Sequence, residues 1–394
     1  IMNLKDYISE KEIIDLSKKL IKIEGHKATD KRESEVAYFI KNLFDKEKIN
    51  NDLKKIEFNR PNIYGIIEGE SDEIELMFNG HIDTIPGFNM DYEPFEPFIK
   101  DNKIHGRGSV DMKGGIAAML AAMLAIKRSG IKLQKTLFFA GVIGEEERSK
   151  GTEQLIKDNI IPNNVIIPEP TQLEVSIAHK GMEWIEVIFK GKSTHGSKPQ
   201  EGINSIYAAS EFCNLVRKEL QEKIKKKSYP LVGNPTINIG VIHGGDDPNI
   251  VPDRTKVQID RRWLPNESLK EVHKEVEETA ERAIDMIGGQ FELRPLRELT
   301  ASMINAPHSL DENEKFVKET ISVVEKITSE GKKVVDFPGW SDAGLLSNHT
   351  RAKSIILGPG NIDQAHANNE FCEIDDIIKA AEIYFELAKK MCLN

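Results

Sequence analysis

Cysteine is scarce in this sequence. Cys213, Cys372 and Cys392 are the three present, and none stands at a paired spacing. That excludes a disulfide framework and a zinc–thiolate site, and it fits a reducing compartment with free thiols. Excess positive charge is lacking as well. The net charge is −10, and KIKKKS at residues 223 to 228 is the one dense basic run, which a solvated helix end explains. Nucleic acid is thereby excluded as the main partner. The opening IMNLKDYISEKEII is charged and has no apolar centre of the kind a signal peptide needs. No apolar run is expected to reach membrane-spanning length. Repeats and low-complexity linkers are missing too. The expectation is a cytoplasmic protein with no membrane partner.

What is present is ordinary for a soluble globular chain: 39% hydrophobic and 30% charged residues. A length of 394 residues is too great for one typical core, so two domains are expected. Ile13, Leu16, Leu20 and Ile23, then Val36, Phe39, Ile40 and Leu43, recur at helical spacing. Strands are expected at 63–68, 74–78 and 135–143 and in NNVIIPEP, with a buried helix at 113–128. Strands alternating with helices predict an α/β layer whose sheet is largely parallel. From about residue 179 the pattern changes to strand, helix, two strands, helix, strand, which is a ferredoxin-like βαββαβ unit. The expected division is 1–178 and 294–394 for the first domain, with 179–293 inserted. The first domain resumes with a helix at 311–329, strand KSIILG and a terminal helix at 375–391.

The chemistry centres on residues 74–112. IELMF ends at Asn79-Gly80, and His81 and Asp83 follow on the same side of an extended chain. That placement suits a metal-bound imidazole whose other nitrogen donates to a carboxylate. Gly106–Ser109 turn the chain and deliver Asp111. Taken singly, each of these also reads as a loop residue that satisfies backbone groups. Of the other histidines, His26, His105, His308 and His349 are expected in polar loops and His273 on a charged helix. His195 and His366 have small or polar neighbours.

His81, Asp111, Glu146, Glu169 and His366 together supply two imidazoles and three carboxylates. That donor set suits zinc, cobalt or manganese and not a thiolate metal. A carboxylate bridging two ions would give a two-metal site, which lowers the pKa of a water and polarises a carbonyl. A further carboxylate must then move the proton, and the adjacent pair Glu145 and Glu146 can divide the two tasks. The alternative reading of Glu145-Glu146-Glu147 is a solvated acidic turn at a helix start.

GHIDT, GRGSVDMKGG, GEEERSKGT, PEPT, STHGSKPQEGINSI, NIVPD with DRR, and LGPGNIDQAHANNE stand in the order and spacing of the M20 metallopeptidases and deacylases, which the chain resembles from about residue 10 onward. That group includes acetylornithine deacetylase, succinyl-diaminopimelate desuccinylase, aminoacylase-1 and glutamate carboxypeptidases. The resemblance implies an α/β fold: a zinc-peptidase-like mixed sheet with flanking helices, plus an inserted ferredoxin-like lid and dimerisation domain. It implies two divalent ions, zinc foremost, with cobalt or manganese as alternatives. His81 and Glu169 would bind one, Glu146 and His366 the other, and Asp111 would bridge them. Asp83 would orient His81, and Glu145 would act as base and then acid. A cis peptide is implied at Asp111–Met112. His195 would reach the active site of a second subunit and stabilise an oxyanion. Asn249, Arg262 and Gly358 would contact substrate, with Arg262 on a carboxylate. The alternatives for these last are structural: His195 as a turn residue, Arg262 paired with Asp260.

The implied activity is hydrolysis of the amide of an N-acyl amino acid by a homodimer. A dipeptidase or carboxypeptidase of the same family is the alternative, and a catalytically inactive binding protein is a further one. Three departures bear on the substrate pocket. Gly144 replaces an acidic residue, Trp340 and Ser341 alter the segment FPGWSDAGLL, and Gly344 stands near where an arginine is usual. IEGHKATDKRE also lacks the proline-rich opening of many relatives.

Overall fold

The structure is a computed structural model that describes residues 2–331 and 333–393. The chain divides into two units. The first runs to Ile177 and resumes over Leu310–Phe337 and from Ser341 onward. The second comprises Ala178–Ser309 and Pro338–Trp340.

The sheet of the first unit has the order Asn50–Glu57, Arg60–Ile67, Leu133–Val142, Gly69–His81, Asn164–Ile167, Lys353–Ile356, Val175–His179. Its four middle strands, from Leu133–Val142 to Lys353–Ile356, are parallel. The strands flanking them are antiparallel, so the sheet is mixed and only its centre is parallel. The centre is buried on both faces, which is why IELMF and TLFFAGV read as continuous apolar runs. The candidate site residues His81, Glu145 and Glu169 lie at or just beyond the carboxyl ends of these parallel strands, where open α/β sheets hold ligands.

The helix Gly114–Ser129 is apolar on all sides because it is wrapped by the core, and every residue from Gly114 to Ile126 is buried. Its start lies hard against the chain before Glu169: a Cβ on Gly115 would come within 2.6 Å of the Pro168 carbonyl oxygen. Counted with the preceding turn, Ser109–Ser129 is 21 residues long and its most apolar 18-residue window has mean hydropathy 1.5, enough by length and composition alone to cross a membrane. Asp111 and Lys113 interrupt that stretch, so the uninterrupted apolar run is shorter. In the fold, 94% of the most apolar window is buried inside the protein.

The second unit has the expected βαββαβ order. Its sheet runs Thr236–Gly244, Arg254–Trp263, Gly181–Lys190, Gln290–Pro295, antiparallel throughout. Ser205–Leu215 and Leu269–Ile287 are its main helices, and their Phe212, Val272 and Val276 join Ile185, Val187, Val257 and Ile259 in one core. The unit does not end at 293. Leu296 N–H donates to Trp184 O, Met182 N–H donates to Asn305 O, and His308–Ser309 pair with His179 and Ala178. His308 is thus a buried strand residue and not part of a polar loop.

Candidate metal centre

His81 ends a central strand and is 1% exposed. Its Nδ1 lies 3.0 Å from the Asp83 carbonyl oxygen and 3.6 Å from the Asp83 carboxylate. Its Nε2 faces Oδ1 of Asp111 at 3.0 Å and Oε1 of Glu169 at 3.9 Å. Burial lowers the imidazole pKa, but hydrogen bonds to Asp111 and Asp83 outweigh it and hold the value well above normal. The turn before Asp111 needs Gly108, whose φ of 83° is left-handed. The Asp111–Met112 peptide is cis.

The second oxygen of Asp111, Oδ2, lies 3.3 Å from Nε2 of His366, which also faces Oε1 of Glu146 at 3.1 Å. One carboxylate therefore presents its two oxygens to two different imidazoles. Burial pushes the Asp111 carboxyl up, but hydrogen bonds from His366 and His81 hold it well below the usual range. Hydrogen bonds to Asp111 and Glu146 raise His366 to about 10.

The glutamate turn is not a solvated acidic loop. Glu147 pairs with Arg32 at 3.0 Å and Arg60 at 3.4 Å, while Glu145 and Glu146 join the buried cluster. Asp83 fixes this turn. Its Oδ1 accepts Gly144 N–H at 2.9 Å and Glu145 N–H at 3.2 Å, and its Oδ2 accepts Glu146 N–H at 3.1 Å. Asp83 thus holds the glutamates as well as bordering His81. Ligand atoms of His81, Asp111 and Glu146 lie within 4.8 Å of one another, and so do those of His81, Glu145 and Glu169. Burial, with further carboxylates nearby, raises Glu145 and Glu169 well above the usual carboxylate range and raises Glu146 too. The donor set is nitrogen and oxygen only, with an excess of negative charge under two imidazoles. Such a set fits divalent cations and leaves the acids unfavourably buried without them.

Two acids belong here that sequence reasoning did not assign. Glu370, 1% exposed, binds Arg107 and accepts the amides of Val110 and Asp111. Its only signal was its place at the end of the HANNE motif. Asp342 sits in the altered FPGWSDAGLL segment, accepts the Thr152 hydroxyl at 2.6 Å, and is pushed up to about 6 by burial. Its charge helps to raise Glu145 and Glu169.

Gly358 is buried with its backbone bonded to the Thr171–Leu173 turn. A Cβ there would collide with the carbonyls of Pro168 and Glu169, so close packing accounts for this glycine without a substrate contact. In the second unit, His195 pairs with Ile250, and Gly196 N–H donates to Asn249 O at 2.6 Å, which sets His195 and Asn249 side by side. The His195 Nδ1 accepts the Ser197 N–H at 3.2 Å. In the neutral ring the proton then sits on Nε2. Arg262 is bidentate to Asp260 at 2.9 and 3.0 Å, the pairing that sequence named as its alternative. Its neighbour Arg261 points to the opposite face, fully buried on Glu267 and Glu275.

The family model of peptidase family M20/M25/M40 matches residues 77–390. A probable succinyl-diaminopimelate desuccinylase of Staphylococcus aureus is 27% identical, over 97% of this chain and 98% of its own length. An acetylornithine deacetylase of Pasteurella multocida is 30% identical, over 85% of this chain and 84% of its own. Among solved structures, an aminopeptidase from Bacillus cereus superposes with a TM-score of 0.79 at 20% identity, covering 98% of this chain and 99% of that one. A metallo-carboxypeptidase from Sulfolobus solfataricus gives 0.76 at 20% identity, covering 96% and 98%. The motifs along the chain, the mixed sheet and the family match agree: this protein belongs to peptidase family M20/M25/M40 and is a hydrolase of amide bonds.

Proposed function

We propose that the protein removes the acyl group from an N-acyl amino acid bearing a free carboxylate, as a cytoplasmic homodimer holding two divalent ions. The observation that carries this reading is Asp111, whose two carboxylate oxygens face His81 and His366 separately. His81 and Glu169 would hold one ion and Glu146 and His366 the other, with Asp111 between them. Zinc suits these donors best, with cobalt and manganese as alternatives. When bound, such ions polarise the scissile carbonyl and make water more acidic.

The chain's own residues do the rest. Glu145, made more basic by burial and by its acidic neighbours, takes a proton from the attacking water and returns it to the departing amine. His195, its proton on Nε2, donates to the oxygen that gains negative charge, and Asn249 stands beside it. We assign His195 this task in the active site of the partner subunit. The exposed Tyr207 and Ile242 give the second unit apolar surface for a second copy. Arg262, already oriented by Asp260, offers a planar fork to the substrate carboxylate. The free thiols of Cys213, Cys372 and Cys392 support a reducing compartment.

The names of the desuccinylase and deacetylase relatives favour a deacylase. The aminopeptidase and carboxypeptidase names among the structural neighbours favour the second reading, a peptidase using the same residues. The deciding experiment presents zinc- or cobalt-loaded protein with N-acetylornithine, N-succinyl-diaminopimelate, other N-acetyl amino acids and several dipeptides. Cleavage of acyl substrates alone is the expected result. Cleavage of dipeptides alone would overturn the substrate and leave the site standing.

A further inference from the structure

We propose that Glu370 is a positioning residue that fixes Asp111 against His366 and so sets the affinity of the second ion, an inference that rests on the two-ion reading above. The Glu370 carboxylate is buried, and both of its oxygens bond the Gly106–Asp111 turn. Oε1 accepts Val110 N–H at 3.0 Å and Asp111 N–H at 3.3 Å. Oε2 accepts Arg107 Nη1 at 2.6 Å. The same guanidinium donates from Nη2 to the carbonyl of Ala367 at 3.3 Å, next to His366. The main chain adds to the clamp: Glu370 O accepts Gly106 N–H at 3.3 Å and the Tyr92 hydroxyl. Every one of these bonds ties the Gly106–Asp111 turn, or the loop leading to it, to the His366–Glu370 segment.

The clamp bears unequally on the two ions: both would share Asp111, but only the second also depends on the His366 segment that Arg107 and Glu370 hold. It acts on Asp111 and His366, whose facing atoms are Oδ2 and Nε2. His81 is instead oriented by the Asp83 carbonyl, and Glu169 follows a different strand. Losing the Glu370 charge would leave Arg107, 2% exposed, buried without its counter-ion and would loosen the amide of the bridging residue. The ion held by His366 and Glu146 should suffer, and the ion held by His81 and Glu169 should be largely spared.

The test is titration of metal-free protein with Co2+, followed by visible absorption and calorimetry, on wild type, Glu370→Gln, and the double variant Arg107→Gln with Glu370→Gln. Wild type should take up two ions. Glu370→Gln should weaken one of them by about 10–100-fold, the usual effect of losing a residue that supports a ligand, and leave the other within about threefold. The double variant, which removes the stranded charge, should recover part of that loss. A merely structural role would lower thermal stability while leaving the spacing of the two binding steps unchanged. Should Glu370→Gln fail to fold, Glu370→Asp, with its shorter reach, is titrated in its place. Two unaltered steps, or two steps weakened equally, would overturn the proposal. Uptake of fewer than two ions by wild type would overturn it together with the two-ion reading. A selective loss in a protein that cleaves no acyl amino acid would uphold the clamp and reject the substrate.

Discussion

The carboxylate of Asp83 carries the backbone of Glu145: its Oδ1 accepts the Glu145 N–H at 3.2 Å, and the flanking amides of Gly144 and Glu146 bind the same side chain. Asp83→Ala leaves three amides without an acceptor, at about 1–3 kcal/mol for each that stays buried. Asp83→Asn keeps one oxygen for two of them and turns an N–H2 group toward the third. Turnover should fall about 10–100-fold in Asp83→Asn and further in Asp83→Ala. Steady-state kinetics beside thermal unfolding separate the two variants.

Glu145 is assigned the proton transfer, yet it also lies within ligand distance of His81 and Glu169. Glu145→Ala should lower kcat about 10²–10⁴-fold while the protein still carries two ions by elemental analysis. A variant that loses an ion would show Glu145 to be a ligand.

His195 is exposed at the end of a two-residue bridge, with its ring oriented by Ser197. His195→Ala should lower kcat about 10²–10³-fold with metal content unchanged. Mixing it with Glu145→Ala under conditions of subunit exchange should restore part of the activity through hybrid dimers. No recovery, with exchange verified by a mass-tagged subunit, would place His195 in its own subunit's site.

Acid stability depends on a pair far from the metal centre. Arg128 bonds Glu47 at 2.7 and 3.1 Å and lowers its pKa below 4.5. A carboxylate lowered in the folded state stabilises fully above its unfolded value and loses that contribution as pH falls through the folded one. Glu47→Gln should therefore cost about 1 kcal/mol at pH 7 and less at pH 3. Urea unfolding at the two pH values measures the difference.

Much of the site was legible because its residues end core strands. His81 and Glu169 follow short apolar runs of strand length, and Asp111 follows a turn that glycine at Gly108 makes possible. The βαββαβ unit was legible from alternation and amphipathic spacing. What escaped the sequence was long-range. Glu370 meets the amide of Val110 across 260 residues, and Asp342 meets Thr152 across 190, so no local pattern announces either bond. The second unit's end at Ser309 was hidden for a similar reason. Residues 296–309 have little regular structure and are fixed by single backbone bonds to strands more than a hundred positions earlier. Arg262 shows a further limit: the sequence offered both Asp260 and a ligand as its partner, with nothing local to choose between them.

The strand Lys353–Ile356 lies between Asn164–Ile167 and Val175–His179. On a ribosome those two neighbours emerge long before it. At ~5–20 residues per second, the wait is on the order of ten to forty seconds. Throughout that interval the nascent sheet has a gap with two open apolar edges, the kind that invites pairing with other chains. The inserted unit can finish folding while the first is still incomplete. The central sheet can be completed only after the last third of the chain is made, and a chaperone that covers strand edges should raise the yield more than one that binds the finished protein.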